Sequence, residues 1–170
     1  MSLDSEVELM RRLPFFAKME PSTLKLLCFS SERLTFHAGQ VMFYAGDVAD
    51  AVYVMIEGHV AITAPASGGP VLVGTLGPMD IVGEIAIFAD LTRTATVTAT
   101  TRVDALRIAK EQLISILRGN PDAALELLRQ LATRLAKTTV RLTDSLAGSA
   151  PAARDASASA APNGGNGQIR

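Results

Sequence analysis

Glu84 and Arg93 stand nine positions apart in the segment Gly83-Glu84-Ile85-Ala86-Ile87-Phe88-Ala89-Asp90-Leu91-Thr92-Arg93-Thr94-Ala95. Its opening glycine lets the backbone come close to another group. A short helical turn is expected to begin at Glu84. The amides of Ile85 and Ala86 then lack intrahelical acceptors and can face an anion. Arg93 adds a guanidinium that can meet two phosphate oxygens at once, which a lysine cannot. Thr94 adds a hydroxyl, and the Glu84 carboxylate suits a sugar hydroxyl. On residue types alone, an Arg93–Glu84 ion pair bracing a loop explains the same residues equally well. Exposed pairs of that kind contribute roughly 0–1 kcal/mol.

Other chemistry finds little support. There is no GxSxG, no GxGxxG after a strand and no GxxxxGK[ST] in the chain. The two histidines, His37 and His59, are isolated at expected strand edges and do not make the HxH-plus-carboxylate set of a metal-binding barrel. The single cysteine, Cys28, lies on a short amphipathic stretch and reads as a core thiol. One thiol excludes a disulfide framework, a zinc ribbon and a four-thiolate cluster within one chain. A metal-dependent hydrolase has no ligand cluster to work with, so no catalytic residue and no metal site are expected.

The elements that must position this segment follow from patterning. From Arg33 to Ala109, short β-rich runs recur at about 8–12 residue spacing, the mark of an all-β barrel or sandwich. Gly39, Gly46, Gly58, Gly69 and Gly77 are expected at its corners. The front is helical: Leu3, Val7, Leu9, Met10 and Leu13 approximate one stripe before Pro14, and Pro21 suits the first turn of a second short helix. At the back, Lys110 to Leu117 is a short helix. Gly119-Asn120-Pro121-Asp122 stops it and starts a long one over Ala123 to Leu146. On that helix Leu128, Leu131, Leu135 and Leu142 share a seam. The seam can pack on the barrel of its own chain or on a second copy.

Composition agrees with one folded domain. The chain has 170 residues, 48% hydrophobic and 19% charged, with a formal net charge of -1. No basic footprint for nucleic acid is present. No apolar run approaches the roughly 18 residues of a membrane span. A soluble, cytoplasmic protein with no membrane partner is expected. The domain is expected over residues 2–146. Residues 147–170, rich in Ala, Ser, Gly, Asn and Pro, read as a disordered low-complexity tail.

Gly83-Glu84-Ile85-Ala86 followed by Arg93-Thr94-Ala95 resembles the phosphate-binding cassette of cyclic nucleotide-binding domains. His37-Ala38-Gly39-Gln40, Ala45-Gly46-Asp47, Tyr53 through Val60 and Leu76-Gly77 resemble the family's β-roll turns in order and spacing, and Leu13-Pro14-Phe15-Phe16 resembles its entry segment. The likeness covers roughly Glu8 to Leu146. It implies an α+β fold: an eight-stranded antiparallel β-roll flanked by N-terminal helices and a long C-terminal helix. It implies cAMP or cGMP as a regulatory ligand. By the resemblance, Glu84 would accept the ribose 2′-hydroxyl and Arg93 would pair with the cyclic phosphate. Gly83, the amides of Ile85, Ala86 and Ala95, and the Thr94 hydroxyl would complete that shell. Val73 and Leu76 would be apolar walls near the sugar or base. Val82 replaces an aromatic residue usual before the cassette glycine.

The helix from Asn120-Pro121-Asp122 to Thr138-Thr139 is similar to the dimerising helix of the family's catabolite-activator branch, where a hydroxyl pair contacts adenine from both subunits. Thr138 and Thr139 would be that pair here; mid-helix hydroxyls bonding their own backbone are the alternative. The Glu84–Arg93 spacing is one residue shorter than in that branch and matches the kinase and channel domains.

The resulting expectation is a cyclic nucleotide sensor, not an enzyme. It would regulate an unidentified protein partner by ligand-dependent movement of its C-terminal helix, with a homodimer through residues 123–146. A degenerate β-roll that serves as an interaction domain without nucleotide is the alternative. DNA binding by this chain alone is not expected. A helix-turn-helix needs roughly 60–70 further residues, which the tail does not supply.

Overall fold

The computed structural model describes residues 2–148, in which eight strands lie between helical ends. Helices α1 (Leu3–Arg11) and α2 (Pro21–Ser30) precede β1 (Glu32–Phe36), β2 (Val41–Phe43), β3 (Ala51–Glu57), β4 (Val60–Ala64), β5 (Val71–Leu76) and β6 (Ile81–Val82). The short α3 (Glu84–Phe88) follows, then β7 (Thr96–Ala99), β8 (Val103–Ala109), α4 (Lys110–Gly119) and α5 (Pro121–Gly148). The tail expected over 147–170 falls, from residue 149, outside the described residues, and α5 runs to Gly148.

Two four-stranded antiparallel sheets form the roll, in the orders β1-β8-β3-β6 and β2-β7-β4-β5. Strand β3 shows why the middle of the chain is so apolar. Alternate side chains leave a strand on opposite faces, and both faces of β3 are covered. Val52, Val54 and Ile56 pack with the helices, alongside Met10, Phe15, Phe16, Leu24, Leu106, Ile108 and Leu113. Tyr53 and Met55 point into the space shared with β2, β4 and β7, against Phe43, Val60 and Val97. A strand buried on both sides reads as a continuous apolar run.

The corners are mostly as expected, with one change. Gly77 does not take a left-handed φ; the space its Cβ would need is filled by the His59 ring, 3.0 Å away. The left-handed residue of that turn is Met79, φ 72, following Pro78. A proline then a left-handed residue is the type II turn pattern.

Chain contacts divide the molecule into a unit of residues 1–131 and a second of residues 132–170. The first holds both sheets, α1 to α4 and the start of α5, where Ala123 and Leu127 are buried and Leu131 packs on the helix-side core. In its described residues the second is the remainder of α5. The seam expected on that helix is therefore not uniform: Leu131 is packed, while Leu128 and Leu135 are 61% and 69% exposed.

Candidate functional site

Arg93 organises the segment from Gly83 to Ala95. Its side chain is buried, at 3% relative exposure. Nη1 donates to the Gly83 carbonyl at 2.9 Å and Nη2 to the Ala51 carbonyl at 2.6 Å. The guanidinium carbon lies 4.2 Å from the Phe43 ring centroid, a cation–π contact. Among the described residues, Nε is buried without a hydrogen-bond partner. Burial holds the Arg93 pKa below its ordinary value, opposed by Tyr53, Asp50 and Asp47 and reinforced by Arg107. An arginine remains cationic through such shifts, so the site carries a buried positive charge.

The backbone around Arg93 is fixed by the loop before β3. Arg93 N–H donates to the Asp47 carbonyl, and Gly46 N–H donates to the Arg93 carbonyl, both at 2.8 Å. Asp47 closes its own turn, accepting from Tyr44 N–H at 2.8 Å. Ala45 N–H donates to the Thr96 hydroxyl at 3.0 Å. Two loops distant in sequence thus form one platform.

Gly83 is the cradle. It sits in the left-handed region, φ 90, between β6 and α3. A Cβ there would lie 2.4 Å from Arg93 Nη1 and 3.4 Å from the Phe43 ring. The close approach expected of this glycine is made, in part, to the arginine itself. Helix α3 begins at once with Glu84, buried at 2% exposure. Ala86 and Ile87 anchor α3 in the helix-side core, leaving Ile85 and Phe88 exposed. The turn after α3 is closed by Leu91 N–H donating to the Ala86 carbonyl at 2.9 Å and by Asp90 in a left-handed conformation, φ 52.

The other expected residues fall in three places. Thr94 is exposed and Ala95 half-buried, on the strand side of Arg93. Leu76 packs against the inter-sheet core, whereas Val73 is 48% exposed at the β4–β5 bulge. Thr138 and Thr139 belong to the second unit. Their hydroxyls donate to the carbonyls of Arg134 and Leu135, each at 3.0 Å. Sequence reasoning missed the inner partners of Arg93: Phe43, Asp50 and the Ala51 carbonyl. Asp50 Oδ1 lies 3.7 Å from Nη2. The only signal for them was the turn Ala45-Gly46-Asp47, which says where the chain bends and not what it touches.

The model of the cyclic nucleotide-binding domain family matches residues 33–120, which include the segment Gly83 to Ala95 and all of both sheets except Glu32. The chain belongs to the cyclic nucleotide-binding domain family. It is 33% identical over 138 residues to a CRP-like cAMP-activated global transcriptional regulator of Mycobacterium tuberculosis, covering 81% of this chain and 62% of that protein. The match covers about three-fifths of the length of this regulator and of the Thermus thermophilus cyclic AMP receptor protein. Among solved structures, the sensor domain of the transcriptional regulator DNR from Pseudomonas aeruginosa superposes with a TM-score of 0.71 at 26% identity, over 79% of this chain and 91% of that one. The Thermus thermophilus catabolite activator protein gives 0.67 at 27% identity, over 79% and 63%. These likenesses agree with the observed β-roll and its C-terminal helix. Among the described residues no helix is long and apolar enough to cross a membrane.

Proposed function

We propose that this cyclic nucleotide-binding domain is a sensor that takes cAMP or cGMP at the cassette and regulates a partner through its C-terminal helix. The observation that carries the reading is Arg93: a buried cation, held by two carbonyls and a ring, whose Nε meets no acceptor among the described residues. An unpaired buried donor is costly, and an anionic oxygen at the cassette would meet it. The residues present fit a cyclic phosphate bonded to a ribose. Arg93 supplies the charge, and the amides of Ile85, Ala86 and Ala95 with the Thr94 hydroxyl supply donors. Glu84 supplies the acceptor for the 2′-hydroxyl. Val73 and Leu76 offer apolar surface to sugar or base.

Output would run through α5. Its exposed Leu128 and Leu135 suit a second copy of the chain, and Thr138 and Thr139 would then approach the base across that contact. Ligand binding would bias the position of this helix, a two-state element. The chain's own contribution is binding and signalling rather than chemistry on the nucleotide, in a cytoplasmic setting.

One observation favours a second reading. Arg93 also braces Gly83 against the start of β3, which a degenerate interaction domain could use without any ligand. Calorimetry with cAMP and with cGMP separates the two: saturable heat supports the sensor, and none with either nucleotide supports the brace.

A further inference from the structure

Asp50 stands between two arginines. Its Oδ2 accepts from Arg107 Nη2 at 2.6 Å, while its Oδ1 is 3.7 Å from Arg93 Nη2. The first distance is a hydrogen bond; the second is only an electrostatic approach. The sheet fixes where Arg107 stands. It lies on β8 opposite Tyr53 of β3 and opposite Glu32 of β1. Glu32 is the looser partner, with Oε2 3.9 Å from Nη1. Burial works to lower the Arg107 pKa and is outweighed, chiefly by the charge and hydrogen bond of Asp50, so the pKa is raised.

The backbone of Asp50 is pinned, because its carbonyl accepts from Lys110 N–H at 2.8 Å. Its side chain is 59% exposed and has room to turn. Among the described residues, Tyr53, Asp50 and Asp47 act electrostatically to raise the Arg93 pKa against burial. Asp47 is committed to its turn, which leaves Asp50, of these two carboxylates, as the one able to shift toward Arg93. Rotated fully onto Arg93, it would occupy the guanidinium that the cyclic phosphate needs.

We infer that Arg107 is a positioning residue of the nucleotide site: it holds the Asp50 carboxylate off Arg93 and so leaves that charge to the ligand phosphate. The inference rests on the nucleotide-binding reading above. A carboxylate and a phosphate competing for one cation make a distinctive genetic pattern. Removing Arg107 releases the competitor, and removing the competitor as well restores the site.

The experiment is calorimetry with cAMP and cGMP on the full chain as wild type, Arg107→Met, Arg107→Lys, Asp50→Asn and the double variant Arg107→Met/Asp50→Asn. Melting curves confirm that each is folded. Arg107→Met is expected to weaken binding by about fivefold, the scale of a partly exposed ion pair. Arg107→Lys, which keeps the charge, retains most of the affinity. The double variant recovers at least wild-type affinity. In parallel, the Arg93 Nε–H resonance of the ligand-free protein is followed, assigned by its loss in Arg93→Lys. It moves in Arg107→Met and returns in the double variant. Wild-type affinity in Arg107→Met, or a double variant no tighter than Arg107→Met, overturns the inference. If no protein binds either nucleotide, the sensor reading has failed. The resonance then decides alone whether Arg107 positions Asp50: movement and return uphold the positioning, and an unmoved signal overturns it.

Discussion

Burying an arginine is costly unless its donors are met. Arg93 meets part of that cost with two carbonyls and the face of Phe43. Gly83 makes the arrangement sterically possible. In Gly83→Ala the new methyl would stand 2.4 Å from Nη1, on backbone at φ 90. The guanidinium is the end of a flexible side chain and would yield. The left-handed strain should cost about 1–2 kcal/mol of stability, read by chemical denaturation. Nucleotide affinity should fall further than that strain alone implies, because Arg93 is displaced; titration of the same variant checks it. At this scale the sequence was informative about residue types and not about contacts. Gly83, Glu84 and Arg93 were legible because they crowd into one short segment. Ala51 and Asp50 were not, being more than forty residues from Arg93 along the chain.

Strand β8 carries its own buried charge. Asp104 Oδ1 accepts from the Thr35 hydroxyl of β1 at 2.7 Å, and Arg33 and Arg102 stand at 3.7 and 3.6 Å. The Thr35 hydrogen bond, against the opposing effect of burial and with help from both arginines, holds the Asp104 carboxyl below its ordinary range. A carboxyl depressed in the folded state stabilises it above the unfolded value of about 3.9. That contribution is lost as pH falls through the folded pKa. Asp104→Asn should therefore flatten the loss of stability below about pH 4 while lowering stability at neutral pH; melting temperature against pH tests both. The elements themselves were largely legible, since turn residues punctuate short apolar runs. Their pairing was not. That β8 lies between β1 and β3 depends on contacts some fifty to seventy residues apart, which local periodicity does not encode. The same holds for the corner near Gly77, where His59 from β4's approach fills the space and passes the left-handed position to Met79.

At the scale of the molecule, the proposed input is the segment around Arg93, and α5 leaves apolar surface at Leu128 and Leu135. Covering Leu135 in a self-association contact would remove a large apolar side chain from water, worth about 1.5–3 kcal/mol. Light scattering should report a dimer for the wild type and a monomer for Leu135→Asp; a wild-type monomer with and without nucleotide would place the output elsewhere. The seam was visible in the sequence, but its division into packed Leu131 and exposed Leu135 was not, because heptad spacing marks an apolar face without saying what meets it. The deciding property is whether the Arg93 charge receives a nucleotide. Calorimetric titration of the wild type and of Arg93→Ala with cAMP and cGMP measures this. The prediction is saturable binding of at least one nucleotide, weakened at least about tenfold in Arg93→Ala, the scale of one charged hydrogen bond. Equal affinity in the two proteins, or no heat in either, would contradict it.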